Sequence, residues 1–249
     1  MRTTLILLVL VLCSTTMYAQ RYAYEDENTA LQPKEIIMID IAGGLSTASG
    51  DFASIDAGNP AAGFNTNGPC IQARYTTYTG TKVGYVATLF YHNNPIRHTE
   101  LATAFSAQLP PSSGQTLSVD AASWTSVGIS GGIMLNIPVK TTVNLQPRLC
   151  LGYVFITSPK LITRIESPLT APMVQTQDGV MSTATLLQLG GAFTVDLTEK
   201  YYLIGDAAYN YSNPKFTNVS VTRGSTTTPV SFQETVTVLN FSIGVGMRL

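Results

Sequence analysis

Between Thr142 and Phe155 the odd positions carry Val143, Leu145, Pro147, Leu149, Leu151, Tyr153 and Phe155, and the even ones Asn144, Gln146, Arg148, Cys150 and Gly152. Successive side chains of a strand point to opposite faces, so this period of two predicts a strand that is apolar on one side. The end of the chain repeats it, with Leu239, Phe241, Ile243, Val245, Met247 and Leu249 against Asn240, Ser242, Gly244, Gly246 and Arg248. Val127, Ile129, Ile133, Leu135 and Ile137 alternate in the same way, as do Leu187, Leu189, Phe193, Val195 and Leu197. Weaker alternation over 36–47, 70–79, 82–92 and 200–211 brings the total to about eight strands, the smallest common number for an outer-membrane barrel.

The connections between these segments set the topology. Short links at 79–81, 138–140 and 198–200 take turns with long ones at 48–69, 93–123, 157–182 and 212–233. The long links hold Pro95, Pro110, Pro111, Pro159, Pro168, Pro172 and Pro214 among many Ser, Thr, Asn and Gly, and read as surface loops. Tight turns on one side and long loops on the other are the mark of an up-and-down barrel with both ends in the periplasm. Two local conflicts predict irregularity. Pro147 lacks an amide donor inside a strand with no free edge, which calls for a bulge. Val236 and Val238 share parity with the polar positions that follow them, which calls for a bulge or a strand end outside the membrane.

Alternation alone also fits a soluble barrel, and composition separates the two. Of 249 residues 45% are apolar and only 12% charged, about half the charged share of an average soluble domain. The polar face is Gly, Ala, Ser, Thr, Asn and Gln with isolated charges, which suits a narrow, crowded lumen. Bulky residues fill the other face, as hydrocarbon requires. On that face Tyr91, Tyr153, Phe155, Tyr209 and Tyr211 fall near the loop end, and Tyr85 and Tyr201 near the turn end, as two interfacial girdles would. Fourteen basic residues stand against fifteen acidic ones, for a net charge of −1 and no basic cluster. Nothing here neutralises a phosphate backbone, so a nucleic-acid partner is excluded.

At the start, Arg2, the apolar run Leu5 to Leu12 and Met17-Tyr18-Ala19-Gln20 read as an export signal cleaved after Ala19. The run is too short to span a bilayer as a helix. The expected organisation is a signal peptide over 1–19, a short periplasmic tail over 20–34 and a barrel over 35–249. The fold class is all-β, an eight-stranded antiparallel up-and-down transmembrane β-barrel.

These strands, four long loops, three tight turns and the terminal Gly244-Val245-Gly246-Met247-Arg248-Leu249 resemble the small outer-membrane β-barrel families, the OmpA-like, porin-family barrel domain above all, over residues 35–249. The resemblance implies a bacterial outer-membrane location, outer-membrane lipids as neighbours and the barrel-insertion machinery as a partner during biogenesis. That machinery reads a last strand that commonly ends in an aromatic residue, and Leu249 stands in its place here.

Charges expected in the lumen are Asp40, Arg74, Lys82, Arg148, Asp196, Asp206 and Arg248. An unpaired ion in a poorly hydrated interior costs several kcal/mol, so these should pair or keep water. Arg74 and Arg148 are expected to form a mid-barrel network with Asp206 and Asp40, acting as a structural plug or as an ion-selective gate. The plug is favoured because an eight-strand interior is only wide enough for side chains. His92 and His98 read as solvated loop histidines, with no spacing for a metal site or a nucleophilic triad. Cys70 and Cys150 share lumen-facing parity, but the second and fifth strands are not neighbours, which opposes a disulfide. Gly43-Gly44, Gly131-Gly132 and Gly190-Gly191 lie inside strands and precede no helix, so they relieve crowding or curve the wall rather than bind phosphate. No catalytic, cofactor-binding or metal residue is assigned. The first expectation is a non-enzymatic outer-membrane protein with a structural or surface-recognition role through four long loops, which leaves room for an extracellular ligand. The alternatives are a small pore or conduit for small or apolar molecules, and a lipid-modifying enzyme.

Overall fold

The computed structural model describes residues 36–249 apart from 60, 80–81, 108, 110–113 and 169–170. The expected signal peptide at 1–19 and tail at 20–34 lie outside the described residues. In chain order the strands are β1 (Ile36–Ala48), β2 (Gly68–Tyr78), β3 (Val83–Asn94), β4 (Thr116–Ala121), β5 (Trp124–Leu135), β6 (Ile137–Lys140), β7 (Val143–Thr157), β8 (Leu161–Glu166), β9 (Met173–Gln177), β10 (Met181–Asp196), β11 (Tyr201–Ser212), β12 (Lys215–Arg223), β13 (Thr226–Gln233) and β14 (Val236–Arg248), with helix α1 (His98–Ser106) between β3 and β4.

Eight long strands form the barrel in the order β1-β2-β3-β5-β7-β10-β11-β14, every pair antiparallel. The wall closes where β14 meets β1, in unbroken register from Met38↔Arg248 to Ala48↔Val238. These are the eight segments whose alternation the sequence displays. Small barrels coil tightly, and glycine marks the places where strands come too close for a side chain. A Cβ on Gly44 would lie 1.9 Å from the Phe241 carbonyl oxygen across the closing seam, and one on Gly132 would lie 2.0 Å from that of Leu149.

No bulge is present at Pro147, and of the two readings for Val236 and Val238 the bulge is absent. Strand β7 stays in one register with β10 from Val143↔Val195 to Thr157↔Met181, straight through Pro147. On its other side the ladder with β5 ends at Met134↔Arg148 and resumes with β6 at Ile137↔Leu145. The missing amide is accommodated by a gap between two strands, without an inserted residue. Strand β14 likewise keeps register with both neighbours through Val238. Val236 and Val238 break the parity rule because they face inward into an apolar cluster. The expected turn at 138–140 belongs to β6, and the turn itself is Thr141–Thr142.

The long links are more than loops. Strands β13-β12-β9-β8-β4 pair in that order into a second antiparallel sheet drawn from the second, third and fourth links. The first link adds a short 3-10 turn at Gly50–Ala53, which buries Phe52. Phe52, Trp124 and Phe216 pack edge to face, with ring centroids 5.6 Å apart in each contact, and Phe216 stacks on Phe232 at 5.0 Å. Apolar residues of β7, β10 and β14 join this cluster, so the cap formed by the links and the loop-end mouth of the barrel share one core.

Candidate functional site

The lumen is filled in tiers. At mid-height Asp40 and Arg74 are direct cross-strand neighbours on β1 and β2. Arg74 Nε donates to Asp40 Oδ1 at 2.9 Å and its Nη2 to Oδ2 at 3.0 Å, a two-point pairing that fixes the planar guanidinium. Arg74 Nη1 reaches across to Asp206 Oδ2 at 3.1 Å. Asp206 also accepts from both terminal nitrogens of Arg148, with Nη2 on Oδ1 at 2.9 Å. Tyr202 donates its hydroxyl to Asp40 Oδ2 at 3.1 Å. The four charged side chains cancel, and none is more than 1% exposed. The structure thus brings together all four residues singled out from the sequence. Parity placed them in the lumen, but Tyr202 and Gly190 carried no signal beyond that. Gly190 lies opposite Arg148 on β10, and a Cβ there would stand 3.1 Å from the Arg148 Cζ. Its missing side chain leaves the room through which Arg148 reaches Asp206 on the next strand.

Toward the tight turns this quartet rests on Met38, Tyr78, Val86, Met134 and Ile204, all buried. Hydrogen bonds join several of the remaining polar residues, Gln72 to Ser242 at 2.9 Å, Ser130 to Gln188 at 3.1 Å, Gln188 to Asn210 at 2.8 Å and Ser46 to Asn94 at 3.2 Å, while Thr88 Oγ1, Gln146 Oε1, Thr194 Oγ1 and Arg148 Nε are buried without a partner. His92 is buried, stacked on Phe90 at 4.7 Å and 2.8 Å from the Asn240 amide. It is therefore part of the filling and not a solvated histidine, because its parity points inward. His98 opens α1 and is exposed, and its Nδ1 accepts the Ala121 amide at 3.2 Å. Lys82, expected inside, lies exposed at the turn end, whereas Asp196 and Arg248 pair with each other half-buried. Cys70 and Cys150 are buried free thiols. Among the described residues no cluster of His, Cys, Asp and Glu has the make-up of a metal site.

A second feature escaped the sequence reading. Beneath the cap lies a cavity of ≈ 380 Å³, to which all four long links contribute. Phe64, Leu101, Phe105, Trp124, Leu161 and Phe232 line it, and Glu234 is the one ionisable residue among its lining. Trp124 is 6% exposed, and neither its indole nitrogen nor Glu234 Oε1 has a hydrogen-bond partner. Burial, together with the nearby Asp51, pushes the Glu234 carboxyl up to about 7. These residues sit at strand ends and in links, where no periodicity marks them.

The outside of the barrel is the reverse of its lumen. Ile41, Leu89, Ile129, Leu151, Phe241 and Ile243 stand out from five different strands, Leu151 at 67% and Ile243 at 77% exposure. Tyr91, Val127 and Phe155 share one cross-strand row near the loops, and Tyr201, Met247, Ile39 and Tyr75 another near the turns. An apolar belt running round the molecule far exceeds the patches that soluble monomers expose. The wall is built for lipid. The chain has the architecture of an outer-membrane β-barrel, with hydrocarbon-facing bulk, interfacial aromatics and a closed edge.

No protein-family model matches the chain, and no curated protein matches its sequence. Among solved structures it is similar to a major outer membrane protein from Thermus thermophilus, at 12% identity and a TM-score of 0.49, over 87% of this chain and 100% of that one. It is also similar to OprG from Pseudomonas aeruginosa, at 15% identity and a TM-score of 0.44, over 86% and 95%. Ail, the attachment invasion locus protein of Yersinia pestis, aligns at 13% identity and a TM-score of 0.41, over 88% and 100%. What this chain does has to be read from its own residues.

Proposed function

We propose that this is a non-enzymatic outer-membrane protein whose barrel anchors a folded recognition cap on the cell surface, the ionic quartet serving as a plug that seals and orders the lumen. The observation that carries this reading is the second sheet. Three of the four long links commit their strands to a structure that shares its core with the barrel mouth. Ordering so many residues costs conformational entropy, and a mere barrel closure needs only short links. The plug reading is supported by side chains that fill the middle of the lumen and cancel one another's charge. The enzyme alternative finds no support at His92, whose polar neighbour is the Asn240 amide and not a serine or carboxylate.

Two measurements test this. Planar-bilayer recording of the reconstituted protein should show no discrete current, and a reproducible ion conductance would favour the pore. Labelling of intact cells with a membrane-impermeant amine reagent should modify Lys160 and Lys215 at the cap end and spare Lys82, Lys140 and Lys200 at the turn end, all five being exposed side chains. The opposite pattern would place the cap in the periplasm and end the surface-recognition reading.

A further inference from the structure

The cavity under the cap has an unusual make-up. Its lining is mostly apolar and aromatic, with the amides of Asn59, Gln177 and Gln233 beside it, and its single ionisable side chain is acidic. Among the described residues Glu234 forms no ion pair, and its Oε1 is buried without a donor. Asp51, the neighbour that acts on it electrostatically, carries the same sign. A buried carboxylate without a counter-charge is costly, and an aromatic face attracts a cation through its ring quadrupole. The volume of ≈ 380 Å³ lies at the small end of ligand pockets. We propose that this cavity binds a small organic cation, an ammonium group on a compact aromatic or aliphatic body, with Glu234 as counter-ion and Phe64, Phe105, Trp124 and Phe232 around it. The proposal rests on the cap being the recognition element and names the ligand chemistry that it reads. The ammonium satisfies Glu234, and the body covers aromatic surface that the cap leaves facing the cavity.

Trp124 is the only tryptophan of the chain, so indole emission reports this cavity alone. The experiment uses the full chain in nonionic detergent, excited at the red edge where its tyrosines do not absorb. Three probes of one shape are titrated: benzyltrimethylammonium, its neutral isostere neopentylbenzene and the phenylmethanesulfonate anion. The cation should change Trp124 emission saturably. The isostere should bind roughly ten-fold more weakly or worse, having lost both the ion pair and the cation–π attraction, and the anion should not saturate. Glu234→Gln should weaken the cation by a similar factor while leaving the isostere unchanged, in a protein that still shows the heat-dependent gel shift of a folded barrel. Equal affinity for cation and isostere, an unaltered titration in Glu234→Gln, or no saturable response to the cation would each overturn the proposal. Neither the conductance nor the lysine-labelling result involves Glu234, so this assignment and the reading of the cap fail separately.

Discussion

Asp206→Asn tests the ionic quartet at its most connected member. Asp206 accepts one hydrogen bond from Arg74 and two from Arg148, in surroundings where its side chain is 0% exposed. Asparagine keeps the shape and one acceptor oxygen but removes the charge. Two guanidiniums then face a single carboxylate, Asp40, and at least one Arg148 N–H loses its acceptor. Removing one partner of a buried pair costs about 3–5 kcal/mol, most of it the penalty for the charge left behind. For a chain of this size that lowers a thermal midpoint by roughly 6–20 °C. The assay is urea and thermal unfolding of the reconstituted barrel, followed by far-ultraviolet circular dichroism and by the heat-dependent gel shift. Adding Arg148→Gln restores charge balance, so the double variant should be more stable than the sum of the single losses implies. A midpoint for Asp206→Asn within about 1 kcal/mol of the parent would refute the plug. An unchanged midpoint accompanied by a new ion current would instead identify a gate.

Three further outcomes follow from the same geometry. Gly190→Val would fill the gap that Arg148 crosses, 3.1 Å from its Cζ, and should destabilise the barrel by about 1–3 kcal/mol in the same unfolding assay, with little added loss in an Asp206→Asn background. Gly44→Ala should prevent the seam between β1 and β14 from closing, because its Cβ would meet backbone at 1.9 Å, and the purified chain should lose its folded gel band. Glu234 titrates from its ordinary 4.5 to about 7 in the folded cap, so the folded state holds this proton more tightly than the unfolded one. Its contribution is fully present below the unfolded value and is lost as pH rises through about 7. The urea midpoint of Trp124 emission should therefore be higher at about pH 5 than at about pH 8, with Glu234→Gln flattening the difference.

The wall was legible because one face of every barrel strand meets a uniform solvent. Hydrocarbon outside demands bulk at every second position, so Leu145 to Phe155 or Leu239 to Leu249 announce themselves without any partner being known. The same parity assigned Asp40, Arg74, Arg148 and Asp206 to the interior, and electroneutrality then brought them together. Parity fails where the interior changes character. Val236 and Val238 point inward and are apolar, since at that height the lumen gives way to the core of the cap. The cap strands were illegible for a related reason. Strand β13 has both faces largely exposed, and β12 buries only Phe216 and Val219, so neither carries a sustained period of two. Trp124 and Glu234 come together only through the packing of four links distant in sequence, which no local pattern encodes.

The arrangement of tiers explains why recognition is assigned to the mouth and not to the lumen. A charge pair gains strength as its surroundings lose polarity, and its desolvation cost grows with it, so such a pair is stable only when its geometry is fixed from several sides. Here β1, β2, β7 and β11 supply one charge each, Tyr202 fixes Asp40, and apolar residues close the floor below. Passage of a solute would have to break three buried contacts at once while pushing aside a tier of hydrogen-bonded amides. On the proposed plug, the free energy that holds the barrel together is also the free energy that blocks it. At the loop end the links leave a cavity open, lined by Trp124 and Glu234, whose indole nitrogen and Oε1 have no hydrogen-bond partner. Unmet hydrogen-bonding capacity in a folded protein is a cost that a ligand can relieve, and under the cap it lies beside a cavity with space to admit one.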